Sequence, residues 1–342
     1  MYDYCLKQKD GATRLTQQSG MELTDIRLRS IVQFDPIKKS FEQSQNLKYF
    51  RQPNDLEYPL DLNRGYDEFT HRCGVFPDPF DQVQHYLMHV DQTKQVLQQT
   101  DFILHRHTLR IFIDASPVVP RAYRFQAFRF KGCIFIKLLD DMDNEAVLRH
   151  SYAFKARQYL LTERLGEDPD TDTPIDQRMQ QYGMFSAKIG QFRLLYTGEV
   201  TGLSNTEPLG DLTDQQELDK CRQTNIRVVR EQISWRSTFR YDVWVRQAYL
   251  SGVHQLVVAS FDDHGQVVRP IEVESMETLL KQSDRLNIGN RVQRIHQFLE
   301  MISQKLEDLD NPAVSVRFQL IGENLVFEEA LDTEFIDYVN QL

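Results

Sequence analysis

Apolar and polar positions alternate with two periods along this chain, and the period changes mark the predicted elements. Ile26-Arg27-Leu28-Arg29-Ser30-Ile31-Val32 alternates before Asp35-Pro36 and predicts an edge strand in an otherwise irregular N-terminal segment, residues 1–57. Val83, Tyr86, Leu87, Val90, Val96 and Leu97 recur at helical spacing and predict one helix over 80–99. The stretch 102–113 is rich in β-branched and aromatic residues and fits neither period cleanly. Strands are predicted at 123–130 and 133–138 around a Lys131-Gly132 turn, and a helix over 144–164.

Strands resume at 182–189 and 192–200 with Gly190 between them, and again at 226–229. Residues 241–250 predict a helix, 254–261 a strand, and Asp263-His264-Gly265 a turn. Val292, Ile295, Phe298, Leu299, Ile302 and Leu306 predict a core-packing helix over 290–306. Strands at 314–320, 325–328 and 334–339 close the chain. With no repeat and no linker-like tract, 58–342 is expected to form a single interleaved domain.

Composition narrows the function classes. Hydrophobic residues make up 41% of the 342, so the chain should fold. A formal charge of −10 gives no global field for polyanions, and an RNA site would have to be a local basic groove. Cys5, Cys73, Cys133 and Cys221 lack zinc or disulfide-framework spacing, and the polar start at Met1 lacks the apolar stretch of a signal peptide. No apolar run approaches a membrane span, so no membrane partner is expected and a nuclear or cytoplasmic setting is. Phosphate-loop, HExxH and GxSxG motifs are absent; His105 and His107 flank Arg106 at strand spacing without an evident third metal ligand.

Six fragments in order resemble the DXO/Rai decapping nucleases: Tyr58 to Tyr66, His105-Arg106-His107-Thr108-Leu109, Phe128 to Gly132, Tyr196-Thr197-Gly198-Glu199-Val200, Ser234-Trp235-Arg236-Ser237, and Val243 to Val253. The resemblance implies an α+β fold of two twisted, mostly antiparallel mixed sheets flanked by helices, with RNA entering a central cleft. It also implies removal of incomplete 5′ caps and 5′→3′ digestion, chemistry in which several carboxylates hold Mg2+ or Mn2+.

This sequence departs from that pattern at its acidic positions. Where the resemblance implies a helix glutamate, the chain carries Lys155 or, if Gln158-Tyr159 sets the register, Arg157. The Glu-x-Asp strand reads Glu199-Val200-Thr201, which keeps one carboxylate as the sole expected metal ligand or catalyst, on the same face as Thr201 by alternation. The next acidic position falls on Arg227 or Val228, with Val229 beside them, and Glu231 is the only acid nearby. The degenerate positions are therefore Lys155, Thr201, Arg227 and Val229.

Arg106, Gln247, Arg230 and Arg236 are the expected RNA contacts, with Arg124, Arg129, Lys131 and Arg240 as further basic lining and Trp235, Phe239 and Trp244 as aromatics for base stacking. Three functions stay open. One is a degenerate family member that binds RNA 5′ ends or acts as a nuclear adaptor, with no cofactor; by analogy its partners are a nuclear 5′→3′ exonuclease or a chromatin or transcription complex, as in piRNA-precursor transcription. The second is an active Mg2+- or Mn2+-dependent decapping nuclease drawing on Asp140, Asp141 or Glu231. The third is a protein scaffold without RNA function.

Overall fold

A computed structural model describes residues 21–35, 37–38, 40–44, 47–53, 56–71, 79–90, 93–116, 121–139, 148–237, 239–282 and 286–331. The strands are β1 (Leu23–Asp35), β2 (Ser40–Gln43), β3 (Tyr49–Phe50), β4 (Leu60–Asp61), β5 (Phe102–His105), β6 (Ala122–Phe130), β7 (Cys133–Leu138), β8 (Leu161–Thr162) and β9 (Gln181–Ile189). They continue with β10 (Phe192–Val200), β11 (Gly202–Leu203), β12 (Gln223–Arg230), β13 (Gln255–Phe261), β14 (Gln266–Val267), β15 (Glu272–Ser275), β16 (Val314–Ile321) and β17 (Asn324–Leu331). The helices are α1 (Pro79–His89), α2 (Thr93–Gln98), α3 (Arg106–Asp114), α4 (Leu148–Leu160), α5 (Gln215–Leu218), α6 (Phe239–Tyr249), α7 (Met276–Lys281) and α8 (Ile288–Lys305).

Two mixed sheets carry the fold, as the α+β reading expects. The larger runs β17-β16-β6-β7-β5-β10-β9-β1-β2 and the smaller β15-β13-β12-β11-β3-β8, with β14 and β4 paired apart from both. In the larger sheet β5 is parallel to β7 and β10, and the remaining pairs are antiparallel. Lys131 and Gly132 both have positive φ, 50° and 80°, so they make the two-residue turn whose twist suits the β6–β7 hairpin.

α8 lays Val292, Ile295, Phe298, Leu299 and Ile302 on the larger sheet's core. Phe112 of α3 sits between Phe125 and Phe298, with ring centroids 5.4 and 5.3 Å away. Burying each such side chain fully is worth about 1.5–3 kcal/mol, so these contacts fix where α3 starts. α4 covers one face of the smaller sheet with Tyr152, Ala156, Tyr159 and Leu160 against Ile226, Val257 and Ala259. The other face packs Val229, Leu256 and Val258 against Trp235, Tyr241 and Val245 of the α6 region.

Several predicted boundaries change. β1 is no edge strand: it lies between β9 and β2, and Leu23, Leu28 and Ile31 belong to the main core, so residues 23–35 are integral to the larger sheet. The helix predicted over 80–99 is two, α1 and α2. The ambiguous stretch 102–113 is both things in turn, a strand to His105 and then α3; the His105 ring accepts from the His107 backbone N–H at 3.1 Å and caps the helix. His105 and His107 therefore do not share a strand face. Over 144–164 the described helix ends at Leu160, where β8 begins. The strand predicted at 334–339 lies outside the described residues.

The connection between β10 and β11 brings the two sheets together. β10 runs through the middle of the larger sheet to Val200, and after the single residue Thr201 the chain enters the smaller sheet as β11. β11 pairs with β12 through Gly202 and Leu203 alone, so β12 continues past its β11 partner toward the end of β10. The sheets thus meet around Glu199, Thr201 and Arg227.

Candidate anion site at the junction of the two sheets

Glu199, at the penultimate position of β10, is partly exposed, and its carboxylate accepts from Arg157 Nη1 of α4 at 2.5 Å. Arg106, the first residue of α3, lies across the same strand and donates from Nη1 to the Glu199 carbonyl at 3.1 Å and to Ser251 Oγ at 2.7 Å. Ser251 in turn donates to the Gln247 carbonyl at 3.1 Å. Arg227 of β12 donates from Nη2 to Gln247 Oε1 at 2.8 Å. Helices α3, α4 and α6 and strands β10 and β12 therefore each bring a polar side chain to one place.

Local backbone chemistry makes that convergence possible. Tyr196 Oη donates to the Leu250 carbonyl at 2.8 Å and ties the end of α6 to β10. A Cβ at Gly198 would lie 3.1 Å from Arg106 Nε, tighter than ordinary van der Waals contact, so the glycine lets the guanidinium lie against the strand. Gly198→Ala is accordingly expected to push Arg106 off its rotamer at a cost on the order of 0.5–1.5 kcal/mol, and to weaken anion binding with it. Isothermal titration of this variant beside Arg106→Ala checks this; an unchanged Gly198→Ala would remove Arg106 from the site.

The electrostatics follow from crowding cations around one acid. Burial pushes the Glu199 carboxyl up, but the charges of Arg157, Arg106 and Arg227 outweigh it and hold the group below its ordinary value. Burial, with Arg157 and Arg106 adding repulsion that Glu199 only partly offsets, brings Arg227 down to about 10. Arg110, one turn after Arg106, acts on both Arg106 and Arg227. Arg157, Arg106 and Arg227 thus act on one carboxylate, a local excess of two positive charges in a chain whose formal charge is −10, with Arg110 beside the last two.

His107 reports the same field. Its Nε2 takes the Arg110 Nη2 contact at 2.7 Å, and burial with the charges of Arg110, Arg106 and Arg121 lowers it to about 4. An unfolded histidine takes its proton near pH 6.5, so between there and about 4 the unfolded chain binds a proton that the native ring refuses. The stability His107 contributes is full above pH 6.5 and is lost as pH falls toward 4, at up to about 1.4 kcal/mol per pH unit. Urea midpoints across this window should shift less in His107→Gln than in the parent; identical slopes would contradict the assignment.

The structure sorts the residues expected from sequence. Arg106, Gln247, Glu199 and Arg227 come together, and in the helix it is Arg157, not Lys155, that meets Glu199. Lys155 is buried elsewhere, donating to Gln158 Oε1 and the Thr171 carbonyl at 2.8 Å each beside Arg64 and Asp172. Thr201 falls past the end of β10, so strand alternation does not carry from Glu199 to it. Val229 is buried in the α6 core.

Arg236 is held by Glu272 and Glu274, and Arg230 lies 3.7 Å from Asp263, so both face acidic partners rather than Glu199. Arg129 caps the end of α8 through the carbonyls of Leu306 and Glu307, and Lys131 sits in the β6–β7 turn. Trp235 is 2% exposed and stacked on Tyr241 and Trp244, which leaves it no face for a base. The Phe239 side chain, Asp140 and Asp141 lie outside the described residues. Arg110 and Ser251 were not anticipated; Arg110 could have been found one helical turn from Arg106.

A divalent ion of the Mg2+ or Mn2+ kind wants several oxygen ligands. Among the described residues no three His, Cys, Asp or Glu side chains converge, and Glu199 is already paired with a guanidinium. Glu231, the other acid near β12, sits 3.6 Å from Arg269. These residues do not fit a divalent ion.

A family profile described as RAI1-like PD-(D/E)XK nuclease matches residues 33–335. The Drosophila melanogaster "Decapping and exoribonuclease protein Rai1" is 22% identical over 183 residues, 52% of this chain and 48% of that protein. The chain thus spans about half the length of that curated relative in the match. Candida albicans Rai1 in complex with pU5 and Mn2+ superposes with a TM-score of 0.75 at 14% identity, covering 94% of this chain and 93% of that one. A mutant S. pombe Rai1 in complex with 3'-FADP gives 0.71 at 17% identity over 91% and 95%, and K. lactis Dxo1 with manganese 0.61 at 12% over 92% of each. At such identities the structures establish the shared fold.

Proposed function

Because this chain belongs to the RAI1-like PD-(D/E)XK nuclease family, we propose that it is a degenerate member that binds RNA 5′ ends without cleaving them. The observation that carries this reading is the Arg157–Glu199 pair at 2.5 Å, with Arg106 and Arg227 beside it. A carboxylate held this way has spent its charge on a fixed cation, and a guanidinium cannot polarise and release water as a metal centre does. The relatives crystallised with pU5 and with 3'-FADP support RNA or nucleotides as the ligand class.

The alternative of an active, metal-dependent decapping nuclease draws no support from the described acids. Nuclear placement, with a 5′→3′ exonuclease or chromatin complex as partner, belongs to the same proposal and is checked by imaging and co-purification of the tagged chain. With an overall charge of −10, binding must come from the local cluster, so few phosphates should be neutralised. Filter binding of an oligoribonucleotide between low and physiological salt tests this. We expect log affinity to fall with log salt at about −0.7 per phosphate contacted, for a handful of contacts. No measurable salt-dependent binding would leave the protein-scaffold function instead.

A further inference from the structure

We infer that the Arg246–Asp114 ion pair is a positioning device for the junction: it sets α3 against α6 at the register where Arg106 reaches Ser251 and Gln247 reaches Arg227. The inference rests on the RNA-binding reading and deepens it by naming residues that act on the site without touching a ligand. α3 begins at Arg106 and ends at Asp114, so a helix about 12 Å long joins the site to the pair. Asp114 Oδ1 accepts from Arg246 Nε at 2.6 Å, and the Arg246 side chain is 7% exposed. Arg246 immediately precedes Gln247 on α6, and Ser251 follows just after that helix ends. Polar contacts at both ends of α3 therefore pin it to the α6 region, Arg106 on Ser251 and Asp114 on Arg246.

Holding the fold together does not require this pair. A buried ion pair gives up hydration that its attraction barely repays, and replacing both partners by apolar side chains is often neutral or stabilising. What the pair supplies is geometry, because apolar contact is non-directional whereas a charged hydrogen bond fixes distance and angle. The same end of α3 is tied to α8, where Arg291 Nη1 donates to the Ile113 carbonyl at 2.9 Å and Arg294 Nη1 to the Ala115 carbonyl at 2.5 Å. Cations there suit the negative end of the helix dipole. Arg246 and Arg294 repel Arg291, and Asp114 and Asp242 attract it. Asp114 is thus the acid that lets α6 and α8 both bring a guanidinium to the end of α3. A short helix moves as one rod, so a shift at Asp114 is carried to Arg106.

The test replaces both partners in the full chain, Arg246→Met with Asp114→Leu, and reads the thermal midpoint beside pentauridylate binding by fluorescence anisotropy across a salt series. The midpoint should stay at or above the parent's, as for other buried pairs replaced by apolar residues. Affinity should nevertheless fall by about tenfold, and the slope of log affinity against log salt should flatten by about 0.7, one phosphate contact. In an Arg106→Ala background the same double substitution should add less than about twofold, because its effect runs through Arg106. Unchanged affinity, or the full loss repeated in that background, overturns the inference and leaves RNA binding standing. Should the double variant fail to fold, Asp114→Asn, which keeps an acceptor for Arg246 without the charge, is read the same way against the same outcomes. If the parent itself binds no RNA, the RNA reading fails and the Arg106 Nε–Hε NMR signal, assigned with Arg106→Ala, decides the inference. A signal that moves in the variant supports it, and an unmoved one overturns it.

Discussion

Glu199→Ala strengthens RNA binding and weakens the fold. In a metal-dependent nuclease, removing an active-site glutamate abolishes turnover and gains nothing. Here the carboxylate is the internal competitor for Arg157, so deleting it frees Nη1 and raises the local positive charge by one. Oligoribonucleotide affinity should rise severalfold. The same change leaves Arg157, Arg106 and Arg227 repelling one another without an acid between them. Breaking a fully buried pair costs about 3–5 kcal/mol. The partners here are 17% and 29% exposed, and a loss of about 1–3 kcal/mol in urea unfolding is the discounted expectation. Glu199→Gln, which keeps an acceptor, should fall between on both axes. A variant with weaker RNA binding and unchanged stability would show that the acid serves the ligand and not the arginines.

Arg157→Glu produces the largest change in the opposite direction. It removes a charged donor and sets a second carboxylate against Glu199, so RNA affinity should fall by about a hundredfold or more, on the order of 3 kcal/mol. The salt dependence should flatten with it, because at least one phosphate contact is lost. The substitution should not create a metal site, since Arg227 and Arg106 still act on Glu199 and keep the positive charge there. Titration with Mn2+ read by calorimetry should give no saturable heat. Retained RNA affinity in this variant would move the binding surface away from the junction.

What sequence revealed and what it hid divides along the range of the forces involved. The α8 stripe was legible because Val292, Ile295, Phe298, Leu299 and Ile302 repeat at the period that buries one helix face. The β9–β10 hairpin was legible because alternation flanks Gly190, whose φ of 56° suits a turn. β1 was misplaced at an edge because strand neighbours come from distant sequence: its partner β9 lies some hundred and fifty residues on. The stretch 102–113 hid its break because apolar residues serve both the β5 ladder and the buried face of α3, and only the His105 cap marks the change.

At the site, Lys155 and Arg157 are two positions apart on α4, roughly 200° around the helix, so they point to opposite sides. Packing of Tyr152, Ala156 and Tyr159 on β12 and β13 selects which of the two meets Glu199, and no local pattern contains that choice. Arg236 looked like an RNA contact until β15 brought Glu272 and Glu274 to it from more than thirty residues away. Basic residues can be counted from sequence, but their partners come from topology.

On the proposed function, the acid at the end of β10 belongs to an arginine-held anion site and not to a catalytic centre. The most direct measurement incubates the full chain with 5′-triphosphorylated and cap-bearing RNA in Mn2+ or Mg2+ and follows the release of pyrophosphate, cap or nucleotide over a no-enzyme control. Bound RNA and no release are expected. Metal-dependent release that Glu199→Ala abolishes would contradict that expectation.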